Sequence, residues 1–299
     1  MKVYASFVAI ALAVACGGEK EDPAGSATRS ATSATTAGPG GAGGQGQGGG
    51  GSDAGGQGGM EQQPPPRVLL IGPDDAGGTT DLRDRLLAGG PFETVDVFHI
   101  EDFPFCPADT QAPTLQELMG YDVVLLSSLV SVTLYATFEL GDVLADYYDA
   151  GGRVVLASVW AFGRFTGRPC TEDPPGSCAG SCGFSEPYSA FMPWDLEAVM
   201  EPDSLGDVAD PKSMLLDDVS TLTFPARLHL TQLELSPGAE VVASWASDGE
   251  PMIVRGEHAG RARVDLNMMV MSADFYPYGW QGDGAALVRN ALLFAWDEH

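Results

Sequence analysis

Residues 67 to 72, RVLLIG, carry no charge after the first position and end in Gly72-Pro73. So short and continuous an apolar run predicts a strand buried on both faces of a parallel sheet. The period then changes. In TTDLRDRLLAGG, Leu82, Leu86 and Leu87 recur at helical spacing, Thr79 or Thr80 can cap the start, and Gly89-Gly90 stops the run. ETVDVFHI (93 to 100) repeats the strand signal, and TLQEL sets Thr114 and Glu117 at capping-box spacing before Leu118 and Met119. YDVVLLSSL (121 to 129) predicts a third strand. In FELGDVLADYYDAGG, Leu140, Val143, Leu144, Tyr147 and Tyr148 give one apolar helix face, ended by Gly151-Gly152. RVVLASV (153 to 159) predicts a fourth strand.

Strands and helices alternating at these lengths imply an α/β domain built on a parallel sheet with helices on both faces. Past residue 160 the pattern changes. A long loop runs to about residue 195, and from residue 228 onward LHLTQLEL, EVVASWA, PMIVRGE and ARVDLNMMVM read as strands. Turns at Ser247-Asp248-Gly249 and His258-Ala259-Gly260 make the last three antiparallel hairpins. GDGAALVRNALLFAW closes the chain as a helix with Val288, Ala291, Leu292 and Ala295 on one stripe, which should pack back onto the sheet.

YDVVLLSS, LGDVLADYYDAGGRVVLAS, SDGEPMIVRGEHAGRARVDLNMMV and the closing GDGAALVRNALLFAW together resemble the class I glutamine amidotransferase-like fold, in the divergent branch that includes ThuA-like domains of secreted bacterial proteins. The resemblance covers most of residues 67–299. It implies a flavodoxin-like, mostly parallel sheet with helices on both faces, followed by C-terminal antiparallel strands. It also implies where chemistry would lie. Amidotransferase relatives place a cysteine nucleophile in a glycine-flanked elbow after a strand, and a His and Glu after the last strand. The matching stretch here, LASVWAFG, offers only Ser158 between Ala157 and Val159, and the later stretch, MMVMSADF, holds neither His nor Glu. Ser158 is thus a weak candidate without a base, and glutaminase chemistry is not expected.

Charge narrows the partners. The formal net charge is -26, and the chain has only three lysines, Lys2, Lys20 and Lys212. Nothing in it builds the basic patch that nucleic acid requires. Residues 67–299 hold no G-x-G-x-x-G or G-K-[ST] motif, so no cofactor is expected. Asp74 and Asp75 follow the first strand where some folds bind magnesium. A receiver-type site would also need a lysine at a late strand end, and Lys212 lies outside the predicted strands, so no metal is assigned.

The N-terminal MKVYASFVAIALAVAC has one cation, a short apolar run and a small-residue ending, which are the marks of an export signal. Ala13-Val14-Ala15-Cys16 resembles a bacterial lipobox, which implies lipidation of Cys16 and a membrane anchor. An ordinary cleaved signal with a leftover thiol is the alternative. Residues 17–66 are Gly-, Ser-, Thr- and Pro-rich and cannot bury a core; as a flexible coil they would reach roughly 40 Å. The expected organisation is a signal and anchor (1–16), a linker (17–66) and a folded domain (67–299), exported to the cell envelope, at the outer membrane or cell surface. With Cys16 lipidated, four cysteines remain: Cys106, Cys170, Cys178 and Cys182. Two disulfides account most simply for four thiols in an exported chain. Zinc would need closer pairs and a nearby histidine, and free or mixed thiols remain open.

Ligands of open parallel sheets bind beyond the carboxyl ends of the strands. The loops expected there are aromatic and acidic, with Asp74, Asp75, Trp160, Asp274, Tyr276, Tyr278 and Trp280 as candidate binding residues. Flat rings beside carboxylates suit a neutral, hydroxyl-rich ligand such as a glycan or another envelope component. Three readings follow: a tethered, non-catalytic binding domain, a sugar-modifying or hydrolytic enzyme at the same edge, or a structural partner in a surface assembly.

Overall fold

The computed structural model describes residues 64–73, 77–100, 112–127, 134–157, 188–192 and 195–297. Its first half alternates strand and helix: β1 (Arg67–Pro73), α1 (Gly78–Gly89), β2 (Thr94–Ile100), α2 (Leu115–Leu118), β3 (Val123–Ser127), α3 (Leu134–Asp149) and β4 (Arg153–Ala157). These strands lie in the order β4-β3-β1-β2, all parallel. Successive side chains of a strand point to opposite faces, and here both faces are apolar. Val68, Leu70, Val123 and Leu125 bury one way with Leu82 and Leu86 of α1. Leu69, Ile71, Val124 and Leu126 bury the other way against Leu118 of α2 and Leu140, Leu144, Tyr147 and Tyr148 of α3. Burial also pushes the Tyr147 phenol well above its usual range, and its hydroxyl donates to the Tyr121 carbonyl at 3.0 Å.

The second half is antiparallel. It contains β5 (Phe191–Met192), β6 (Asp195–Val199), β7 (Asp203–Val208), a 3₁₀ segment (Met214–Leu216), β8 (Leu222–Phe224), β9 (Arg227–Thr231), β10 (Glu234–Leu235), β11 (Glu240–Trp245), β12 (Pro251–His258), β13 (Arg261–Leu266), β14 (Gln281–Gly282) and α4 (Gly284–Trp296). The whole is a ten-stranded sheet, β14-β8-β7-β11-β12-β13-β4-β3-β1-β2, with two small ribbons, β10-β5 and β6-β9, outside it.

The α/β character and the helices on both faces are present, with α4 packed on the α1 side through Leu287, Val288, Ala291 and Leu292. The sheet is mixed rather than mostly parallel: its nine pairings divide into four parallel and five antiparallel. The reason is that β7, β8 and β14 extend the hairpin side of the sheet. β7, sequence DSLGDV, is half-exposed along nearly its whole length and has no apolar run.

Local departures have local causes. α1 starts before Thr79, capped by Gly77 in the left-handed region (φ 84°) without a side-chain bond. The LHLTQLEL run breaks into β9 and β10 at Gln232, whose φ is 56°. The expected capping box forms: Glu117 N–H donates to Thr114 Oγ1 at 3.2 Å and Thr114 N–H to Glu117 Oε2 at 2.7 Å. In the β12–β13 hairpin both turn residues have positive φ, Ala259 at 52° and Gly260 at 75°, matching the strand twist.

Polar side chains join the two halves. β13 pairs with β4 only at Asp265↔Leu156 and Leu266↔Ala157. Beside this short ladder, Asp265 accepts from Leu156 N–H (3.0 Å) and Ala190 N–H (2.5 Å), while Arg263 donates to the Val154 carbonyl and to Asp265 (2.7 Å). Both side chains are essentially fully buried, so their charges need these partners.

Candidate functional site

β13 delivers the chain to the carboxyl edge of the parallel strands, beside the start of α1. Met268, Met269, Val270 and Met271 are 0–1 % exposed and fill the core beneath that edge. The chain then folds into a tight loop, residues 272 to 280, closed by Ala273 N–H to the Trp280 carbonyl (2.8 Å), Trp280 N–H to the Met271 carbonyl (3.1 Å) and Gly279 N–H to the Tyr276 carbonyl (2.8 Å). Gly279 is required here, because a Cβ would lie 2.5 Å from the Met271 carbonyl oxygen.

The loop turns its residues two ways. Trp280 points inward at 2 % exposure, donating from Nε1 to the Val270 carbonyl at 2.8 Å. It is therefore the pin of the loop and not a face open to solvent. Tyr276 and Tyr278 lie half-buried with ring centroids 5.6 Å apart, over Leu228, Met269 and Met271. Phe275 is 38 % exposed beside them, near the α1 N-terminus: a Cβ on Gly77 would stand 3.7 Å from its ring. Tyr278 Oη lies 3.3 Å from Met200 Sδ, and Met200 is itself exposed.

Charge stitches the loop to α1. Arg85 pairs with Asp81 at 2.8 Å and reaches Asp274 at 3.4 Å, with its guanidinium 5.3 Å from the centre of the Trp280 ring. Ser272 Oγ donates to Asp81 at 3.3 Å. The result is an exposed carboxylate, Asp274, at the rim of three rings. Such a rim can accept hydroxyl hydrogen bonds while the rings cover an apolar ligand face. Ser272 is 2 % exposed, so its oxygen is not presented as a nucleophile.

Of the residues singled out from sequence, Asp274, Tyr276, Tyr278 and Trp280 come together on this loop. Asp74, Asp75, Trp160, Ser158 and the cysteines Cys16, Cys106, Cys170, Cys178 and Cys182 lie outside the described residues.

A second polar cluster carried no sequence signal. Arg227 pairs with Asp203 at 2.7 Å and Asp248 at 2.8 Å, under the Trp245 ring. His229, fully buried, sets Nε2 3.3 Å from Asp248. Burial alone would raise the Asp248 carboxyl, but the Glu250 N–H, Arg227 and His229 hold it below the usual range. Ser247 Oγ donates to Asp203 at 2.7 Å. With each carboxylate committed to Arg227, the cluster reads as a structural ion network tying β7, β9 and the β11–β12 turn. Among the described residues, no three His, Cys, Asp or Glu side chains group to hold a metal ion.

No protein-family model matches the chain, and no curated protein matches it. Solved structures similar to it include a cytoplasmic protein from Salmonella typhimurium, with 15% identity over 76% of this chain and 98% of that one at a TM-score of 0.48. Another is a ThuA-like protein from Parabacteroides merdae, with 14% identity over 77% and 90% at 0.47. A third is a carbohydrate deacetylase, with 12% identity over 77% of this chain and 32% of that one at 0.42. Likeness at this level says nothing of activity.

Proposed function

We propose that the folded domain is a non-catalytic binding module for a glycan or similar hydroxyl-rich envelope component, held off a membrane by the 17–66 linker and a lipid on Cys16. The observation that carries this reading is the outward ring cluster of Phe275, Tyr276 and Tyr278 beside the exposed carboxylate of Asp274, on a loop pinned by Trp280. Rigid aromatic faces give contact area at low entropic cost, and a carboxylate accepts from vicinal hydroxyls.

Two further observations support a divergent amidotransferase-like ancestry. The β2-β1-β3-β4 order matches the first four strands of a flavodoxin-like sheet, in which ligands sit where the order reverses, between β1 and β3. The stretch where relatives carry His and Glu is here a buried run of methionines and valine. Export to the outer membrane or cell surface belongs to the same reading.

A glycan array probed with the soluble domain tests it. Binding to at least one glycan class, weakened tenfold or more by Tyr276→Ala with Tyr278→Ala, is the expected result. Silence on every glycan, or binding untouched by both substitutions, overturns it. Palmitate labelling lost in Cys16→Ala is the expected result for the anchor.

A further inference from the structure

Two chain segments leave the ring cluster together and border a second feature. Met200, in contact with Tyr278, lies two residues before Pro202, and Tyr278 lies three residues before Gln281. Pro202 and Gln281 both line an open hollow of about 580 Å³ at the β14 end of the sheet.

The hollow has a regular floor. Gln281 stands directly opposite Thr223, and Thr223 directly opposite Ser204, across three adjacent antiparallel strands. Residues directly opposite in such a ladder project to the same face, so the three polar side chains form one row transverse to the strands. Ala246 N–H, bonded to the Ser204 carbonyl at 3.1 Å, brings the end of β11 alongside, and Ser247 lines the same hollow beside the row. Ser247 Oγ spends its proton on Asp203, itself anchored by Arg227, so the hydroxyl's remaining capacity is to accept. Pro202 and Pro225, both exposed, supply rigid apolar walls.

We infer that this row is a second subsite, and that the ligand is an extended oligosaccharide laid from the Tyr276–Tyr278 rings across Ser204, Thr223 and Gln281, not a single sugar. The inference rests on the glycan reading above. Strands repeat at ~4.8 Å, so three of them set polar groups over about 10 Å, longer than one hexopyranose. Hydroxyl and amide groups in sequence, without a net charge in the row, suit a neutral chain whose hydroxyls recur along its length.

The test is an array that carries each glycan as a series of one to six residues, followed by affinity measurement on the series that binds. Wild-type protein should bind the longest member at least tenfold more tightly than the disaccharide. The triple variant Ser204→Ala, Thr223→Val, Gln281→Ala should lose that gain with length while keeping the disaccharide affinity. Tyr276→Ala with Tyr278→Ala should weaken every length. Affinity that is flat with length, or a length gain the triple variant retains, overturns the second subsite and leaves the ring site standing. Absence of binding at all lengths overturns both. Circular dichroism of the triple variant confirms that it folds; Ser204→Ala and Thr223→Val alone each provide a milder arm if it does not.

Discussion

Asn267 and Leu230 exchange two hydrogen bonds: Asn267 Oδ1 accepts from Leu230 N–H at 2.6 Å, and Nδ2 donates to the Leu230 carbonyl at 2.8 Å. The amide stands in for the next residue of a ladder, joining β9, which otherwise pairs with β6, to the end of β13. Nδ2 also reaches the Pro251 carbonyl at 2.9 Å. Because Asn267 and Leu230 are both fully buried, Asn267→Ala strands backbone groups that water cannot reach. A loss of about 3 kcal/mol is expected in urea unfolding, with the slope unchanged. A loss under about 1 kcal/mol would mean that the ribbon is held chiefly by its apolar contacts.

Asp265 makes the corresponding join to the parallel half. Replacing it with Asn keeps the shape but leaves the Arg263 guanidinium, 1 % exposed, without its countercharge. Removing one member of a buried pair typically costs about 3–5 kcal/mol. Asp265→Asn should lower the melting temperature accordingly, and Arg263→Met with Asp265→Leu should recover part of the loss. Equal damage in the single and double variants would contradict this account.

These two residues also show where sequence falls short. In RVDLNMMV the polar positions look like the outward half of an alternating strand, yet both point inward, because β13 ends at the seam between the two halves of the sheet. The parallel half was legible: Val68 and Leu70 face one way, Leu69 and Ile71 the other, and an apolar run such as theirs has no solvated face to offer. The capping box at Thr114 and Glu117 was legible because both partners lie within one turn. β7 was not, because DSLGDV takes its place through close approach rather than burial: a Cβ on Gly206 would stand 2.6 Å from Ala246 Cα. The row of Ser204, Thr223 and Gln281 depends on the register of strands far apart in sequence, which no local pattern encodes. Trp280 reads as a surface ring among SADFYPYGW, and its inward turn depends on two glycines on either side.

The second of those glycines makes a test. A Cβ on Gly284 would lie 2.1 Å from the Trp280 indole, so the first turn of α4 and the ring cannot both keep their places in Gly284→Ala. That substitution should destabilise by about 1–3 kcal/mol, and Trp280→Ala, which empties a core site, by about 3–5 kcal/mol. Both would disturb the ring loop through folding. Tyr276→Ala, at the half-exposed surface, should change thermal stability far less, and this makes it the informative probe of binding. A Trp280→Ala protein with wild-type stability would show that the indole does not pin the loop.

Acid should expose the anchor at the other end of that loop. Asp283, just before α4, takes four hydrogen bonds on Oδ2, from the N–H and hydroxyl of Thr221 (2.7 and 3.1 Å) and of Ser220 (both 2.9 Å). The Thr221 N–H foremost, with the Ser220 donors, holds its carboxyl down at about 2. The ordinary value for an unfolded aspartate is about 4. A group depressed on folding stabilises fully above its unfolded pKa and loses that contribution as pH falls through its folded one, so the Asp283 share should fade between about pH 4 and pH 2. The difference in unfolding free energy between wild type and Asp283→Asn, plotted against pH, should therefore be flat above about pH 5 and shrink below pH 4. The Asp283 carboxyl carbon, followed by NMR, should titrate near pH 2, and a midpoint close to 4 would mean that the four donors do not hold the carboxylate in solution.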